Sequence, residues 1–321
     1  MNVLQLTAKA EATYVTNQVQ ALADLGVESD VVEVPGGAGS DGRSPFDYLR
    51  FCRIVRDELS TRHDLVHANF GLTIPGAIAQ RRVPVVTSLV GTDLMGRYGG
   101  ATKQLTRFCD EVIVVNDEMR DLVPGDAHVI PYGIDVQMFR PMDRTSARKK
   151  IGWPTDRYCV LFPYSTERPV KNYKLAERVV EMASEQLGEE IELRSITGLD
   201  YSLIPAYMNA ADTLLLTSHR EGSPSTVKEA LACNTPVVAT PVGDVPARLS
   251  RVDHCATSDS VVELAEALCD AVTARERPNG RDAVRDATLE RMGERILNVY
   301  ERTVERPMSS VEASPRRSSA D

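Results

Sequence analysis

Short runs of β-branched and other apolar residues alternate along the chain with longer stretches whose apolar positions recur every three to four residues. In the first half, NVLQL (2–6), DVVEV (30–34), LVHAN (65–69), PVVTSL (84–89), EVIVV (111–115) and HVI (128–130) predict strands. Helical patterns over 14–25, 45–60, 73–82, 100–108 and 117–123 lie between them. In the second half, YCVLF (158–162), IELRSI (191–196), TLLLT (213–217) and PVVAT (236–240) read as strands. Helical patterns over 171–187, 201–210, 224–233, 259–274 and 281–302 separate or follow them. Near-continuous apolar strands suit burial on both faces. Strand and helix in alternation, with short connections, predict parallel sheets covered by helices on either side.

The alternation breaks at IPYGIDVQMFRPMDRTSARKK (130–150). Pro131 and Pro141 limit helix there, and Gly133 permits a turn. The expectation is an α/β chain of two doubly wound, Rossmann-like parallel-sheet domains, 1–140 and 141–302. Their strand ends would face each other across a cleft, where open α/β sheets place ligands. The last helix could pack back on the first domain. The segment 303–321, rich in Ser, Pro and Arg without apolar periodicity, reads as a disordered tail. Arg144, Arg148, Lys149 and Lys150 read as linker surface.

Composition adds exclusions. With 321 residues, 42% of them hydrophobic, the chain can bury real cores. A formal net charge of -9 argues against general polyanion binding and against nucleic acid as a partner. Cys52, Cys109, Cys159, Cys233, Cys255 and Cys269 form no CxxC pair and have no histidine cluster beside them. Structural zinc and a disulfide framework are therefore not expected. The start, MNVLQLTAKAEA, lacks the charged and apolar regions of a signal peptide, and no apolar run approaches bilayer length. The expectation is a reduced, soluble, cytoplasmic protein.

Candidate chemistry concentrates in HREGSPSTVKEALAC (219–233). Ser223 suits an N-cap and Pro224 the first helical position, which would leave the amides of Ser225 and Thr226 facing outward as a phosphate site. Glu229 shares a helix face with both, and its side chain leans toward the helix start. A carboxylate beside a phosphate is repulsive. Glu221 and Glu229 therefore make sense if they accept hydrogen bonds from neutral hydroxyls on either side of it. Ribose, diphosphate and hexose have that order in a nucleotide sugar. Two plainer readings stand beside this one: Thr226-Val-Lys-Glu229 matches a capping box, and Glu221 alone could be an exposed loop charge. In STERPVKNY (165–173), Arg168 offers forked donors and Lys171 a point charge for phosphate oxygens. Two cations at a helix start oppose its dipole unless an anion joins them.

The segment Glu221–Ala230, E-G-S-P-S-T-V-K-E-A, resembles the E-x7-E motif of glycosyltransferase family 4. VIPYGIDVQMF (129–139) resembles that family's hinge, usually I-P-N-G-V-D-x-x-x-F. RPVKNYKLAERVV (168–180) resembles its phosphate-binding segment, and TPVVATPVGDVPARL (235–249) its following strand and turn. The resemblance implies the GT-B fold and retaining transfer of a hexose-type sugar from a nucleoside-diphosphate sugar, UDP or GDP rather than ADP. The acceptor would be a hydroxyl of a glycan, lipid-linked or small molecule, in polysaccharide or cell-surface glycan biosynthesis. It further implies that Glu221 holds the sugar, Glu229 the ribose, and Lys171 with Arg168 the diphosphate. Gly222, Ser223, Pro224, Ser225 and Thr226 would contact the donor, with no metal and no cofactor.

Gly91, Thr92, Asp93 and His67 are the candidates on the N-terminal side. Three departures from the family pattern stand out. TAKAEATYV (7–15) replaces a Gly-rich loop, Val90-Gly91-Thr92-Asp93 lacks the histidine of H-G-x-D, and Arg168 lies three residues before Lys171 rather than five. The first two keep open a non-catalytic paralogue that binds a partner transferase. A nucleotide-sugar epimerase or hydrolase would share the architecture. The pattern over 45–59 carries Arg50, Arg53 and Arg56 beside aromatics. It could touch a membrane-borne acceptor at the inner face of the cell membrane, although a solvated amphipathic helix is the plainer reading.

Overall fold

The computed structural model describes residues 1–36, 43–274 and 276–306. One sheet comprises β1 (Asn2–Thr7), β2 (Glu28–Glu33), β3 (Leu65–Ala68), β4 (Val85–Leu89), β5 (Glu111–Val114) and β6 (His128–Val129). Its strands are all parallel, in the order β2-β1-β3-β4-β5-β6. A second parallel sheet comprises β7 (Tyr158–Phe162), β8 (Ile191–Ser195), β9 (Thr213–Leu216), β10 (Val237–Ala239) and β11 (Ala256–Thr257). Its order is β11-β10-β9-β7-β8. Every residue of β3, β4, β9 and β10 is buried, as strands with helices on both faces require. Strand order reverses between β1 and β3 and between β7 and β9. The loops leaving those strands therefore open the crevices where such sheets bind ligands.

The chain passes between the two sheets twice, and the two passes touch. Ile134 N donates to Ala287 O at 2.9 Å, and Leu289 N donates to Ile134 O at 3.1 Å. Gly133 has no room for a side chain, because a Cβ there would lie 2.6 Å from Thr288 O. The pattern over 281–302 is split at this crossing. A 3-10 stretch runs Gly280–Ala287, Thr288 is extended, and a new helix starts at Leu289, capped by Thr288 Oγ1 accepting from Arg291 N.

That last helix runs to Glu305 with Thr303 buried, so ordered structure passes the expected boundary at 303; residues 307–321 lie outside the described ones. Met292, Ile296, Val299 and Tyr300 pack against Val3, Leu22, Leu65, Val86 and Ile113 of the first sheet's layer.

The basic run after the first crossing is helix rather than linker, and only Lys149 and Lys150 of its four cations are exposed surface. Arg144–Ile151 is a helix, started by the Asp143 side chain accepting from Ser146 N at 2.8 Å. Arg148 is buried in it. Its guanidinium donates to Asp212 Oδ2 at 2.6 Å, Ala210 O at 2.9 Å and Arg157 O at 3.0 Å. Arg144 reaches the other oxygen of Asp212. A run of cations read without its partner, 64 residues away, looks solvated. All six cysteines are free. Among the described residues no helix is long and apolar enough to cross a membrane.

Candidate functional site

The loops that follow β7 and β9 are tied to each other, and this brings distant residues together. His219 N donates to Val170 O at 2.9 Å, and the Thr217 hydroxyl reaches Lys171 O and Asn172 O, both at 3.1 Å. Asn172 adopts a left-handed φ of 51°, which ends the 3-10 turn Pro169–Lys171 and starts the helix Tyr173–Leu187. Lys171 Nζ thereby reaches Glu221 Oε1 at 2.5 Å, and Ser218 Oγ donates to the same oxygen at 2.7 Å. Glu221 is no loose loop charge. The ammonium also sits 3.6 Å from the centroid of the Tyr164 ring. Burial pushes the Lys171 pKa down, and Glu221 opposes that shift.

Tyr164 also lines a cavity of about 490 Å³. Its walls include Arg168, Ser225, Thr226, Glu229, Tyr201, and Tyr14 and Tyr132 from the first half of the chain. Arg168 is exposed, and its guanidinium makes no hydrogen bond or ion pair among the described residues. Thr226 Oγ1 is hydrogen-bonded to the Tyr164 hydroxyl. Glu229 accepts from the Tyr201 hydroxyl at 2.7 Å, so no capping box with Thr226 forms. Burial raises the Glu229 carboxyl to about 7, with Tyr201 and Lys228 pulling it down. The helix Ser225–Ala232 takes Pro224, not Ser223, as its cap residue, without a side-chain cap. Its first amides, at Ser225 and Thr226, are still those that a helix leaves without intrahelical partners.

Ser223 turns the other way. Its hydroxyl donates to Asp244 Oδ2 at 2.8 Å and receives Lys228 Nζ at 3.0 Å. Gly222 is packed against the first half: a Cβ there would lie 2.8 Å from Val90 O, and Asn116 Nδ2 donates to its carbonyl at 2.6 Å. Gly91, at φ +122°, faces Gly222 across this contact.

Asp93 lies behind Gly91, buried, and its carboxylate accepts from the amides of Gly71 (3.0 Å), Val90 (3.0 Å) and Gly91 (2.9 Å). It organises that loop. Burial pushes its pKa up against those amides. Thr92 is exposed.

His67 is not brought to the cleft. It is fully buried between the Tyr300 hydroxyl (2.6 Å) and Ser88 Oγ (2.8 Å), and burial lowers its pKa to about 3. It is a neutral core histidine, because β3 is covered on both faces. Helix Pro45–Glu58 has a serine capping box and leaves Phe46 and Leu49 exposed. Among the described residues no group of three or more His, Cys, Asp or Glu is placed to hold a metal ion.

Sequence reading passed over Tyr132, Tyr164, Tyr201 and Lys228. The tyrosines follow strands or the crossing, where an aromatic reads as core. Lys228 has 0% exposure, and its ammonium donates to Tyr132 O at 2.6 Å, linking the Glu229 helix to the first crossing. Burial lowers its pKa to about 7. Only the lysine's place, one residue before Glu229, could have drawn attention to it.

Models of two families match the chain: Glycosyltransferase Family 4 over residues 12–138, and Glycosyl transferases group 1 over 172–274. TuaC of Bacillus subtilis, named for teichuronic acid biosynthesis as a glycosyltransferase, is 27% identical over 241 residues, covering 66% of this chain and 61% of TuaC. A D-inositol 3-phosphate glycosyltransferase of Geodermatophilus obscurus is 29% identical over 169 residues, 40% of this chain and 37% of that one. The matched stretch thus spans less than two thirds of either relative.

Among solved structures, sucrose-phosphate synthase from Thermosynechococcus elongatus superposes with a TM-score of 0.72 at 16% identity, over 94% of this chain and 98% of that one. Anabaena Alr3699/HepE, in complex with UDP-glucose, gives 0.70 at 16% identity over 94% and 100%. At such identities these two likenesses speak of the fold.

Proposed function

Because the chain belongs to glycosyltransferase family 4, we propose that it is a retaining glycosyltransferase using a nucleoside-diphosphate hexose. The donor occupies the 490 Å³ cavity, with its ribose hydroxyls on Glu229. The diphosphate lies toward Arg168, Lys171 and the amides of Ser225 and Thr226. The hexose reaches Glu221, and the acceptor hydroxyl comes from the first half of the chain, on the side of Gly91 and Asp93. UDP or GDP is the expected nucleotide, and a glycan, lipid-linked or small-molecule hydroxyl the expected acceptor. That Alr3699/HepE holds UDP-glucose on the same fold supports a nucleotide-sugar donor.

In the transfer, the bond from the anomeric carbon to the phosphate oxygen breaks, and a bond to the acceptor oxygen forms on the same face. The acceptor proton passes to the departing phosphate oxygen. Charge growing on the diphosphate is stabilised by the two cations and the helix start, more strongly once the bound substrates exclude water. Glu221 orients the sugar and is not itself alkylated. In this reading the two cations and the helix start take the charge-neutralising role, and the transfer is metal-independent.

The observation that carries the reading is the partly buried Lys171–Glu221 pair, in the loops after the two switch-point strands and beside the tyrosine ring that lines the cavity. The test is a thermal-shift screen with UDP, GDP, ADP and their sugars. Ligand at about a hundred times its dissociation constant should add roughly 2.7 kcal/mol of stability. With the donor found, Glu221→Ala should cut turnover by on the order of a hundredfold while nucleotide affinity holds. No shift with any nucleotide, or near-wild-type turnover in Glu221→Ala, refutes the assignment.

A further inference from the structure

Tyr132 carries a buried hydroxyl that has no hydrogen-bond partner among the described residues. Such a group is costly to leave unpaired and calls for a partner that arrives later. It belongs to the first crossing segment and to the wall of the cavity that also holds Glu229, Arg168 and Tyr164. The residue is held at both ends. Its carbonyl accepts from Lys228 Nζ at 2.6 Å, and its ring packs on that of Tyr14 with centroids 5.1 Å apart. The phenol therefore has little freedom to turn toward solvent. Burial keeps it protonated, so it can donate.

The surroundings select what it donates to. The carboxylate of Asp93 acts electrostatically on this phenol, as it does on that of Tyr14. A phosphate placed beside that carboxylate would be repelled. The cations suited to phosphate, Arg168 and Lys171, belong to the loop after β7. A neutral hydroxyl fits better.

The family hinge resembled by residues 129–139 has asparagine where this chain has Tyr132, and TAKAEATYV, which contains Tyr14, stands in place of a Gly-rich loop. The two departures touch each other and form one feature.

Building on the donor-site reading above, we propose that Tyr132 is a specificity-determining residue that donates a hydrogen bond to a hydroxyl of the transferred sugar, in the wall it shares with Tyr14. The test is Tyr132→Phe, which removes one oxygen and keeps the ring. Melting is measured without ligand, and affinity is measured for UDP against UDP-glucose, or for GDP against GDP-mannose if the guanine nucleotide is the one bound. The unliganded variant should melt at the wild-type temperature or above it, because the lost hydroxyl had no partner. Affinity for the nucleoside diphosphate should hold, and affinity for the sugar nucleotide should fall about five- to tenfold.

Equal loss for both ligands would place the contact on the nucleotide, and no loss for either would remove it; both overturn the inference while leaving the donor site standing. A clear drop in the unliganded melting temperature would make the hydroxyl structural and also overturn it. If the wild-type protein binds neither pair, the donor-site reading itself fails, and this inference fails with it.

Discussion

Lys228 and Glu229 are neighbours on one helix, both buried, and burial drives them toward the same pH from opposite sides: the lysine down to about 7 and the glutamate up to about 7. The charges around them are each other, Asp244, Arg248 and Asp286, with the Tyr201 hydroxyl on Glu229. Their effects on stability have opposite signs. Glu229 titrates higher in the folded chain than in the unfolded one, so its contribution is full below the unfolded pKa and is lost as pH rises through about 7.

Lys228 titrates lower when folded, so its buried charge is a cost below about 7 that is relieved as pH rises above it. Relative to wild type, Glu229→Gln should gain melting temperature between pH 5.5 and 8.5, and Lys228→Met should lose it over the same range. Each trend should be about 2 °C or more. Melting curves across that range decide the matter, and a flat difference for either variant refutes its assignment. Spacing from Ser225 and Thr226 was enough to single out Glu229. Lys228 was illegible because what buries it is a carbonyl 96 residues earlier in the chain.

At the scale of elements, the two-residue β11 (Ala256–Thr257) escaped the sequence, whereas the other strands were legible, the central ones because a run buried on both faces must be apolar along its whole length. Tyr158–Phe162 matches its run end to end. Short helices were not: Thr92–Met95, Arg144–Ile151 and Val245–Leu249 have too few turns to show a period. The middle one tests what holds such an element. The Arg148–Asp212 pair is buried on both sides, at 5% and 3% side-chain exposure, whereas Arg144 is 41% exposed. Arg148→Ala should cost about 3–5 kcal/mol in urea unfolding, because Asp212 keeps its charge with less compensation. Arg144→Ala should cost no more than about 1 kcal/mol. Equal losses would show that exposure does not govern this pair.

For the whole molecule, the two crossings act as one joint, and Gly133 sets how closely they approach. A Cβ would meet Thr288 O at 2.6 Å and Leu289 Cα at 2.8 Å, both backbone, so Gly133→Ala must push the strands of the joint apart. The expected outcome is a melting temperature lower by about 4 °C or more, with a larger radius of gyration in solution scattering. An unchanged melt and envelope would mean that the joint yields easily.

The sequence by itself determined the alternation of strand and helix, the break near residue 130 and the choice of Glu221, Glu229, Arg168 and Lys171 as candidates, because burial on two faces and local turn chemistry are written in neighbouring residues. Only the tertiary structure decided that Lys171 meets Glu221, that Ser223 and Gly222 turn from the cavity toward Asp244 and Val90, that His67 is core, and that Tyr132 stands in the cavity wall. Those outcomes depend on which strand lies beside which and on where two distant crossings touch. Contacts of that kind join residues tens to hundreds of positions apart, and no local pattern encodes them.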